Sequence, residues 1–357
     1  MSRFALSLLT SAALVVPIGW PRHVALGVSD PPGHASSLAR QAHLDARYQY
    51  LAGGVNTGRG WATWNPGGTF ASMYVRESIK AHLIPVLTYY QLLQSAPAKG
   101  SDELSKDLSN LRSPATMRAY WQDYELLLRR VRSAAGRHLV VVHIEPDLWG
   151  YLEQAGATSL ARAFAHRLIQ LRNRLAPRVV LAWHLSVWGT KEDPTYSKPS
   201  LTHMRALGTR SAAFYESLHA HFDLVFNDVT DRDAGFYQYV EGNPRTWWGP
   251  VDFRRHDAYI AAFTRRVRRP VVLWQLPLGN TGLSNTWGQY RDNRLQWWFG
   301  RDWKVHLRAT RRAGVIGLLF GGGADGTTSD ETDGGFFFRR SRAYERRPLP
   351  LRVRRRR

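Results

Sequence analysis

The stretch LVVVHIEPDLWGY, residues 139–151, indicates both an element of the fold and a candidate functional site. Its first half is a short run of apolar and β-branched residues, which predicts a strand buried on both faces. The run passes directly into a segment that carries Glu145, Asp147, Trp149 and Tyr151. Carboxylates and aromatic rings at the end of a buried strand are typical of a surface that meets a ligand. This strand end is therefore the first candidate for a functional site.

Similar apolar runs recur along the chain and alternate with patterns of three- and four-residue spacing, which predict amphipathic helices. There are eight such runs, at residues 23–30, 48–56, 83–90, 139–147, 179–188, 223–231, 271–280 and 314–325. Eight strands, each followed by a helix, predict an α/β fold with a single (β/α)8 TIM barrel over residues 23–340. A doubly wound sheet is less favoured, because GVSDPPG follows the first strand where a dinucleotide-binding fold carries G-x-G-x-x-G.

Polar and aromatic residues collect at the carboxyl ends of the predicted strands, the face at which (β/α)8 barrels carry their sites. The opposite ends carry mainly Arg, Pro and small residues. The candidate substrate-binding residues are Asp30, Asn56, Tyr89, Tyr90, Trp149, His184, Trp188, Trp274, Gln275 and Asp325. The candidate catalytic carboxylates are Glu145, Asp228 and Asp147. We therefore expect the functional site at this mouth of the barrel.

Side chains alternate between the two faces of a strand, so residues of one parity point into the barrel. In the fourth strand this rule places His143 and Glu145 on one face, toward the barrel axis. By the same rule each of the adjacent pairs Asn227–Asp228 and Trp274–Gln275 sends only one side chain straight toward the axis. A bulge at a strand end would change this expectation.

Cleavage of a glycosidic bond requires a carboxylic acid that protonates the leaving oxygen and a second carboxylate that acts as nucleophile or base. Glu145 is the candidate acid, since His143 and Trp149 offer surroundings that raise the pKa of a Glu. For the second carboxylate we favour Asp228, followed by Asp147. The structural alternatives are that Glu145 caps the following helix or pairs with an Arg, and that the segment around Asp228 is a polar turn.

The other strand-end residues suit the binding of sugars. Flat aromatic faces with a polar edge favour stacking on sugar rings, a role for Trp149, Trp188, Trp274, Tyr89 and Tyr90. Hydroxyl groups of the sugar would be held by Asn56, His184 and Gln275. The expected partner is a carbohydrate substrate.

The chain resembles the broad superfamily of (β/α)8 glycoside hydrolases in its eight repeats, its aromatic strand ends and the Glu-Pro sequence that closes the fourth strand. In the largest clan of that superfamily the fourth strand ends Asn-Glu-Pro, with the Glu as acid/base, and the seventh ends in a Glu nucleophile. The corresponding segments here are Ile144-Glu145-Pro146 and Leu273-Trp274-Gln275. The resemblance implies Glu145 as acid/base. Gln275 departs from the pattern, because an amide cannot act as a retaining nucleophile.

Two narrower likenesses lie within the same superfamily. The barrel of the family 25 lysozymes is similar at Asp30, Tyr89-Tyr90, the Glu145/Asp147 pair and Trp274-Gln275. The Glu145-x-Asp147 pair also looks like a fragment of the chitinase acidic motif, without the Asp residues that precede it there. The alternative function is a non-catalytic carbohydrate-binding barrel that has lost its nucleophile, and Gln275 favours it.

The sequence predicts neither a cofactor nor a metal. The chain contains no Cys, which leaves no thiolate ligand, and its 13 His residues show no HExxH spacing. A serine nucleophile of the G-x-S-x-G kind does not occur either. Carboxylate chemistry is what the residues favour.

The net charge of +21 and the pI of about 10.7 favour an anionic partner. No RNA- or DNA-binding signature occurs, so nucleic acid is not favoured as the main partner. Residues 341–357 are predicted to form a disordered basic tail that can bind an anionic surface.

Residues 1–22 resemble a secretory signal or an anchor. A short basic start precedes an apolar run of about fifteen residues, which is short for a membrane span. We therefore expect a secreted or cell-surface protein. No small-x-small cleavage site is evident in this segment, which keeps a membrane anchor as the alternative.

Overall fold

The eight predicted strands are all present and form a closed parallel barrel, which confirms the predicted fold class. The structure, a computed structural model, describes residues 15–351 and 354–355. The barrel strands are β1 (Ala25–Ser29), β2 (Ala46–Leu51), β3 (Ile84–Tyr89), β4 (Val141–Ile144), β5 (Val180–Leu185), β6 (Leu224–Asn227), β7 (Val271–Leu276) and β8 (Val315–Phe320). Each strand pairs with its neighbours in chain order, and β1 closes the barrel by pairing with β8, where Gly27 lies opposite Leu319.

Helices surround the barrel, because the chain must return to the same end before each parallel strand begins. Their apolar faces pack against the outer face of the strands. The helices are α1 (Ala35–Gln41), α2 (Trp61–Trp64), α3 (Thr69–Lys80), α4 (Glu103–Arg112), α5 (Pro114–Ala135), α6 (Pro146–Gln154), α7 (Thr158–Leu175), α8 (Pro194–Ser197), α9 (Leu201–Ser217), α10 (Ala234–Tyr239), α11 (Pro250–Val267), α12 (Arg294–Phe299), α13 (Trp303–Arg312) and α14 (Phe336–Glu345). Among the residues that the structure describes, no helix is both long and apolar enough to cross a membrane.

The barrel interior is filled by inward-facing side chains and is distinct from the apolar layer between strands and helices. Its apolar members alternate along the strands, among them Val86, Val141, Val272 and Ile316. Gly27 is required where β1 approaches β2, since a Cβ there would lie 2.6 Å from both Ala46 O and Leu319 Cδ2. The interior is thus a packed core up to the mouth.

Trp20 closes the base of the barrel, where the strands begin. The Trp20 side chain is buried, and its Nε1 donates a hydrogen bond to the carbonyl oxygen of Ile316 at 3.2 Å. Val16 packs in the same interior cluster, and Val15–Val16 pair in parallel with Arg354–Arg355. Val16 and Trp20 therefore belong to the fold, whereas residues 1–14 of the predicted leader lie outside the described residues.

The predicted start of a disordered tail at residue 341 falls inside α14. Tyr344 is buried in this helix and donates a hydrogen bond to the carbonyl oxygen of Val24 at 2.7 Å. Further on, the N–H of Leu351 donates to the carbonyl oxygen of Arg22 at 2.7 Å. The prediction of disorder does not hold for residues 341–351, because these contacts fix the segment to the base. Residues 352, 353, 356 and 357 lie outside the described residues.

A buried charge cluster joins β1, β2 and α3. Arg47 is fully buried on β2, and its guanidinium forms ion pairs with Asp30 and, at 3.0 Å, with Glu77. Its Nε donates to Ser78 Oγ at 2.8 Å, and the guanidinium lies 4.0 Å from the ring centre of Tyr74. Asp30 therefore neutralises a buried cation. The sequence analysis predicts that Asp30 binds substrate, but in the structure its carboxylate is engaged by Arg47.

We predict that Asp30→Asn lowers the free energy of unfolding by about 3 kcal/mol, because it leaves the buried charge of Arg47 with Glu77 alone. Urea denaturation followed by tryptophan fluorescence measures this change. Asp325→Asn is the control, since Asp325 is exposed at the mouth and its substitution should change stability by less than about 0.5 kcal/mol. Equal stabilities of the two variants would contradict the role of Asp30.

Candidate functional site

A cavity of about 370 Å³ opens at the carboxyl ends of the strands, which is within the usual range for small-ligand sites. Aromatic residues form much of its wall, namely Tyr50, Tyr90, Tyr151, Trp188 and Trp274. Its polar side chains are Glu103, Asp147, Asp231 and Gln275. The cavity thus lies at the mouth where the sequence concentrates polar and aromatic residues.

A bulge in β7 brings two adjacent residues to this cavity. Trp274 and Gln275 stand between paired positions where β8 has only one residue. Gln275 takes a positive φ of 58°, a conformation that is uncommon for residues other than glycine. Strict alternation predicts that only one of the pair faces the axis, but both residues line the cavity because the bulge redirects the strand end.

The amide of Gln275 is held by contacts on two sides. The hydroxyl of Tyr50 donates a hydrogen bond to Gln275 Oε1 at 2.9 Å. A Cβ at Gly323 would lie 1.2 Å from Gln275 Nε2, so the amide fills the space of a side chain at that position. The N–H of Gly323 donates to the carbonyl oxygen of Asp231 at 3.1 Å, which joins the loops after β8 and β6. Gln275 consequently presents a fixed amide to the cavity.

Asp147 lies in the first turn of α6 and lines the cavity. The hydroxyl of Tyr90 donates a hydrogen bond to Asp147 Oδ2 at 2.9 Å. Burial raises the pKa of Asp147 to about 6; the negative charge of Asp228 adds to this effect, while His184 opposes it. A carboxyl with this pKa keeps its proton in weakly acidic solution, which is the state that a general acid requires.

A chain of polar contacts runs beneath the cavity from Thr88 to Asp228. Thr88 Oγ1 lies 3.4 Å from His143 Nδ1, His143 Nε2 lies 3.0 Å from His184 Nδ1, and His184 Nε2 lies 2.9 Å from Asp228 Oδ1. Burial lowers the pKa of His143 well below its usual value, so this ring is neutral. A proton on Nε2 of each ring satisfies every contact, with donation running from Thr88 toward Asp228.

Asp228 and its neighbour Asn227 point in different directions, as expected for adjacent residues of a strand. Asp228 accepts the hydrogen bond from His184, which orients the carboxylate and stabilises its negative charge. Asn227 is buried, and its side chain contacts the carbonyl oxygen of Leu185 at 2.6 Å and His256 Nε2 at 2.8 Å. Of this pair, only Asp228 is oriented by the polar chain beneath the cavity.

Glu145 lies away from the cavity, and only 1% of its surface is exposed. Its backbone has φ 42° and ψ 71°, a left-handed conformation that breaks the alternation of β4. The carboxylate accepts hydrogen bonds from the backbone N–H groups of Gln91 and Leu92 at 3.1 to 3.2 Å. The prediction that Glu145 points toward the axis is therefore wrong, because the turn directs it to the loop after β3. Its side chain does not cap α6 either.

Two of the aromatic candidates belong to the layer between strands and helices. Tyr89 is fully buried and donates a hydrogen bond to Asp123 Oδ1 at 2.6 Å. Trp149 is also fully buried, and its Nε1 donates to the carbonyl oxygen of Ile144 at 2.9 Å. Neither ring lines the cavity. Both pack in the apolar layer between the barrel strands and the surrounding helices.

Three polar candidates are likewise outside the cavity. The Asn56 side chain exchanges two hydrogen bonds of 2.8 Å with the backbone of Ala96, which fixes the loop after β2. Asp30 is paired with the buried Arg47. Asp325 is exposed on the loop after β8. The remaining candidates His184, Tyr90, Trp188, Trp274 and Gln275 lie at the cavity or directly beneath it.

The list of candidate site residues omits Tyr50, Glu103 and Asp231, all of which line the cavity, although Asp231 is one of the acids at the end of the run 223–231. Alternation in β2 identifies Tyr50 in retrospect, because it shares the inward parity of Tyr48. Asp231 follows the end of β6 by four residues, where alternation no longer applies. Glu103 belongs to α4 and accepts a hydrogen bond from the hydroxyl of Tyr151 at 2.5 Å. No local pattern links Glu103 to the mouth.

Several solved structures with the same fold are glycoside hydrolases. A modular endo-β-1,4-mannanase of glycoside hydrolase family 26 from Cellulomonas fimi is 10% identical, with a TM-score of 0.54 over 92% of this chain and 72% of the mannanase. GH26C from Muricauda sp. MAR_2010_75 is 9% identical, with a TM-score of 0.56 over 95% and 86% of the two chains. The GH53 catalytic domain from Ignisphaera aggregans is 10% identical, with a TM-score of 0.53 over 93% and 99%. At these identities the likeness shows the fold alone.

Sequence comparison does not add a family, since no protein-family model and no curated protein matches this chain. The structural likeness agrees with the resemblance to the (β/α)8 glycoside hydrolases, but it does not select one family among them. The roles of individual residues therefore depend on the geometry of the cavity.

We predict that Glu145→Gln makes the stability of the protein less dependent on pH. Burial raises the pKa of folded Glu145 from the usual 4.5 to about 8, so the folded protein holds this proton more tightly than the unfolded chain. The resulting stabilisation is complete below about pH 4.5 and is lost as the pH rises through about 8. Gln cannot ionise, so the variant should lose less stability across this interval.

Thermal unfolding of both proteins at about pH 5 and about pH 8.5 measures this difference. The gap between the two Tm values should shift by about 3 °C or more in favour of the variant at the higher pH. A parallel decline of both Tm values would show that Glu145 is already ionised in the folded protein at pH 5.

Proposed function

We propose that the protein hydrolyses a glycosidic bond in a poly- or oligosaccharide, with Asp147 as general acid and Asp228 as the second carboxylate. The observation that carries this proposal is a pair of interacting carboxylates in different surroundings, with Asp147 on the wall of the aromatic-lined cavity and Asp228 at the end of the polar chain beneath it. Asp147 has a raised pKa of about 6 and lines the cavity beside Tyr90. Asp228 accepts a hydrogen bond from His184. Glycoside hydrolysis uses such a pair, in which one carboxyl with a raised pKa donates a proton and the other is held in place by a hydrogen-bond donor.

In the proposed reaction the protonated Asp147 donates its proton to the glycosidic oxygen while the bond from that oxygen to the sugar carbon breaks. Positive charge develops on the sugar ring, and the carboxylate of Asp228 stabilises this charge and acts as base for the attacking water. The neutral His143 keeps the proton of His184 on Nε2, where it orients Asp228. His143 and His184 are thus positioning residues.

The aromatic wall supports a carbohydrate as the substrate. Tyr151 and Trp188 pack with ring centres 4.8 Å apart, and Tyr50 and Trp274 with ring centres 5.6 Å apart. Tyr151 and Trp188 are half-buried, so their rings offer apolar faces for sugar stacking, whereas Trp274 is buried beneath Tyr50 in the barrel interior. Among the structural neighbours, one is an endo-β-1,4-mannanase. A polysaccharide chain is the substrate class that agrees with this neighbour and with an open mouth.

A non-catalytic carbohydrate-binding barrel is the second candidate, and Gln275 is the observation that favours it. The clan that the Glu-Pro sequence resembles has its nucleophile at the end of the seventh strand, where an amide lines the cavity here. Under this alternative the protein binds oligosaccharides and releases no product. The two candidates therefore differ in turnover and share the binding site.

We predict that Asp147→Asn lowers kcat by about 100-fold or more and leaves carbohydrate binding nearly unchanged. Wild-type turnover should fall as the pH rises above about 6, because Asp147 then loses its proton. The variant should lack this alkaline decline. Release of reducing ends from a panel of polysaccharides across the pH range measures turnover, and fluorescence of the cavity tryptophans measures binding.

Glu145→Gln is the matched control, because it also replaces a carboxyl of the same segment by an amide. The amide oxygen of Gln can still accept the hydrogen bonds from the N–H groups of Gln91 and Leu92, so Asp147 stays in place and turnover should remain near the wild-type value. Loss of turnover in Glu145→Gln, with turnover retained in Asp147→Asn, would reverse the proposed roles and restore the sequence-based prediction. A wild-type protein that binds oligosaccharides without releasing product would support the binding barrel.

We predict that Gly323→Ala raises the dissociation constant for oligosaccharide about fivefold to tenfold. The added Cβ would overlap the amide of Gln275 and displace it from Tyr50. Gly323 has no positive φ, so alanine is compatible with its backbone. Gly249→Ala is the control, since a Cβ there meets only Asp252 at 3.7 Å. Titration of tryptophan fluorescence measures both variants, and equal dissociation constants would show that Gln275 does not contact the ligand.

A further inference from the structure

The two ends of the barrel carry opposite charge. We call the end where the strands begin the underside and define it as the six residues that precede each barrel strand. Arg or Lys occurs in seven of these eight segments, for example as Arg22, Lys80, Arg137, Arg178, Arg268 and Arg312. In the six residues after each strand, carboxylates outnumber Lys and Arg by seven to two and lie in four of the eight segments, for example as Asp147, Asp228 and Asp231. The charge is therefore asymmetric along the barrel axis.

Cations of the underside are left without an acidic partner. Arg22, Arg137 and Arg178 are exposed, and none of their side chains lies within 4 Å of a carboxylate of a described residue. The carboxylates at this end are already engaged. Asp223 forms an ion pair with Arg172 at 2.9 Å, and Glu216 forms one with Arg266 at 2.5 Å. The underside thus exposes uncompensated positive charge.

Helix polarity explains only some of these cations. The helices return toward the underside, so their C-terminal ends lie there and favour positive side chains. This accounts for residues of the last helical turn, such as Arg265 and Arg312. Arg22, Arg137 and Arg178 lie outside the helices, in the loops that enter the strands. Their positive charge requires another explanation.

The apolar N-terminal segment joins the barrel at the same face. Residues 4–16 read FALSLLTSAALVV and contain no charged residue. Val16 and Trp20 pack into the base of the barrel, which fixes the attachment point of the preceding residues beside Arg22. Arg354–Arg355 pair with Val15–Val16 and bring the basic C-terminal segment to this point as well.

From this arrangement we propose that the underside binds an anionic lipid bilayer, with the mouth of the barrel facing away from it. This inference does not depend on the proposed hydrolysis. Lasting attachment to a bilayer requires two signals, such as an apolar segment and a polybasic surface. The underside is the basic surface, and the apolar sequence is the one that precedes Val16 at this end of the barrel. Each Lys or Arg close to an anionic leaflet strengthens the attraction. Carboxylates at the mouth are repelled by the same leaflet, which sets the orientation.

Flotation of the full chain with lipid vesicles tests this proposal. We expect binding to vesicles of phosphatidylcholine mixed with phosphatidylserine, weak binding to phosphatidylcholine alone, and a decrease with added salt. The triple variant Arg22→Glu, Arg137→Glu and Arg178→Glu should bind the anionic vesicles about 100-fold more weakly. Deletion of residues 1–14 should lower the affinity but keep the preference for anionic vesicles.

The matched control is the triple variant Arg59→Glu, Lys99→Glu and Lys191→Glu. It changes the net charge equally, but at exposed loop positions on the mouth side of the barrel, and it should bind vesicles as the wild type does. Thermal unfolding shows whether each variant is folded at the assay temperature.

Three results would overturn the proposal. Equal binding to neutral and anionic vesicles would show that the apolar segment alone accounts for binding. An equal loss of binding in both triple variants would show that net charge matters and that the position of the charge does not. Preferential binding to inorganic polyphosphate would assign the underside to a soluble polyanion. Vesicle binding is measured without a carbohydrate, so a failure of the proposed hydrolysis leaves this test unaffected.

Discussion

The carboxylate of Glu145 binds the backbone N–H groups of Gln91 and Leu92, and this contact fixes where β4 ends. A buried carboxyl group is costly unless its oxygens are hydrogen-bonded, and the left-handed turn at Glu145 brings them to these donors. The turn starts α6 at Pro146 and leaves Asp147 at the cavity. A contact on the outer side of the barrel is therefore what separates Glu145 from the cavity that Asp147 lines.

The fold could be predicted from the sequence because its signal is local and repeated. Seven of the eight apolar runs contain their strand, and the run 48–56 overlaps β2, which begins two residues earlier at Ala46. The docking of residues 341–351 could not be predicted in this way. Arg-rich composition suggests a solvated tail, whereas Tyr344 and Leu351 are held by hydrogen bonds to the strand-entry segment around Val24. Such contacts depend on residues more than 300 positions away.

The candidate site could be predicted only in part, because side-chain alternation holds only while the backbone is extended. Alternation describes Asn227 and Asp228 correctly, but it fails at Glu145 and Gln275, which both have positive φ. These backbone conformations are stabilised by contacts with residues of other strands and loops. A pattern of neighbouring residues in the sequence therefore cannot predict them. For the same reason the short Glu-Pro resemblance assigns a catalytic role to a residue that faces the outer layer here. A shared fold at 9 to 10% identity does not carry residue roles with it.

Trp20 and Val16 make the end of the N-terminal segment a part of the barrel core. The indole of Trp20 and the side chain of Val16 complete the base of the barrel, so removal of all of residues 1–22 would leave a cavity there. Loss of a buried tryptophan side chain costs roughly 3–5 kcal/mol, a large part of the stability of a typical domain. The packed base of the barrel therefore requires Val16 and Trp20 to remain in the chain. These two residues are part of the barrel core, although the sequence pattern groups them with the apolar N-terminal segment.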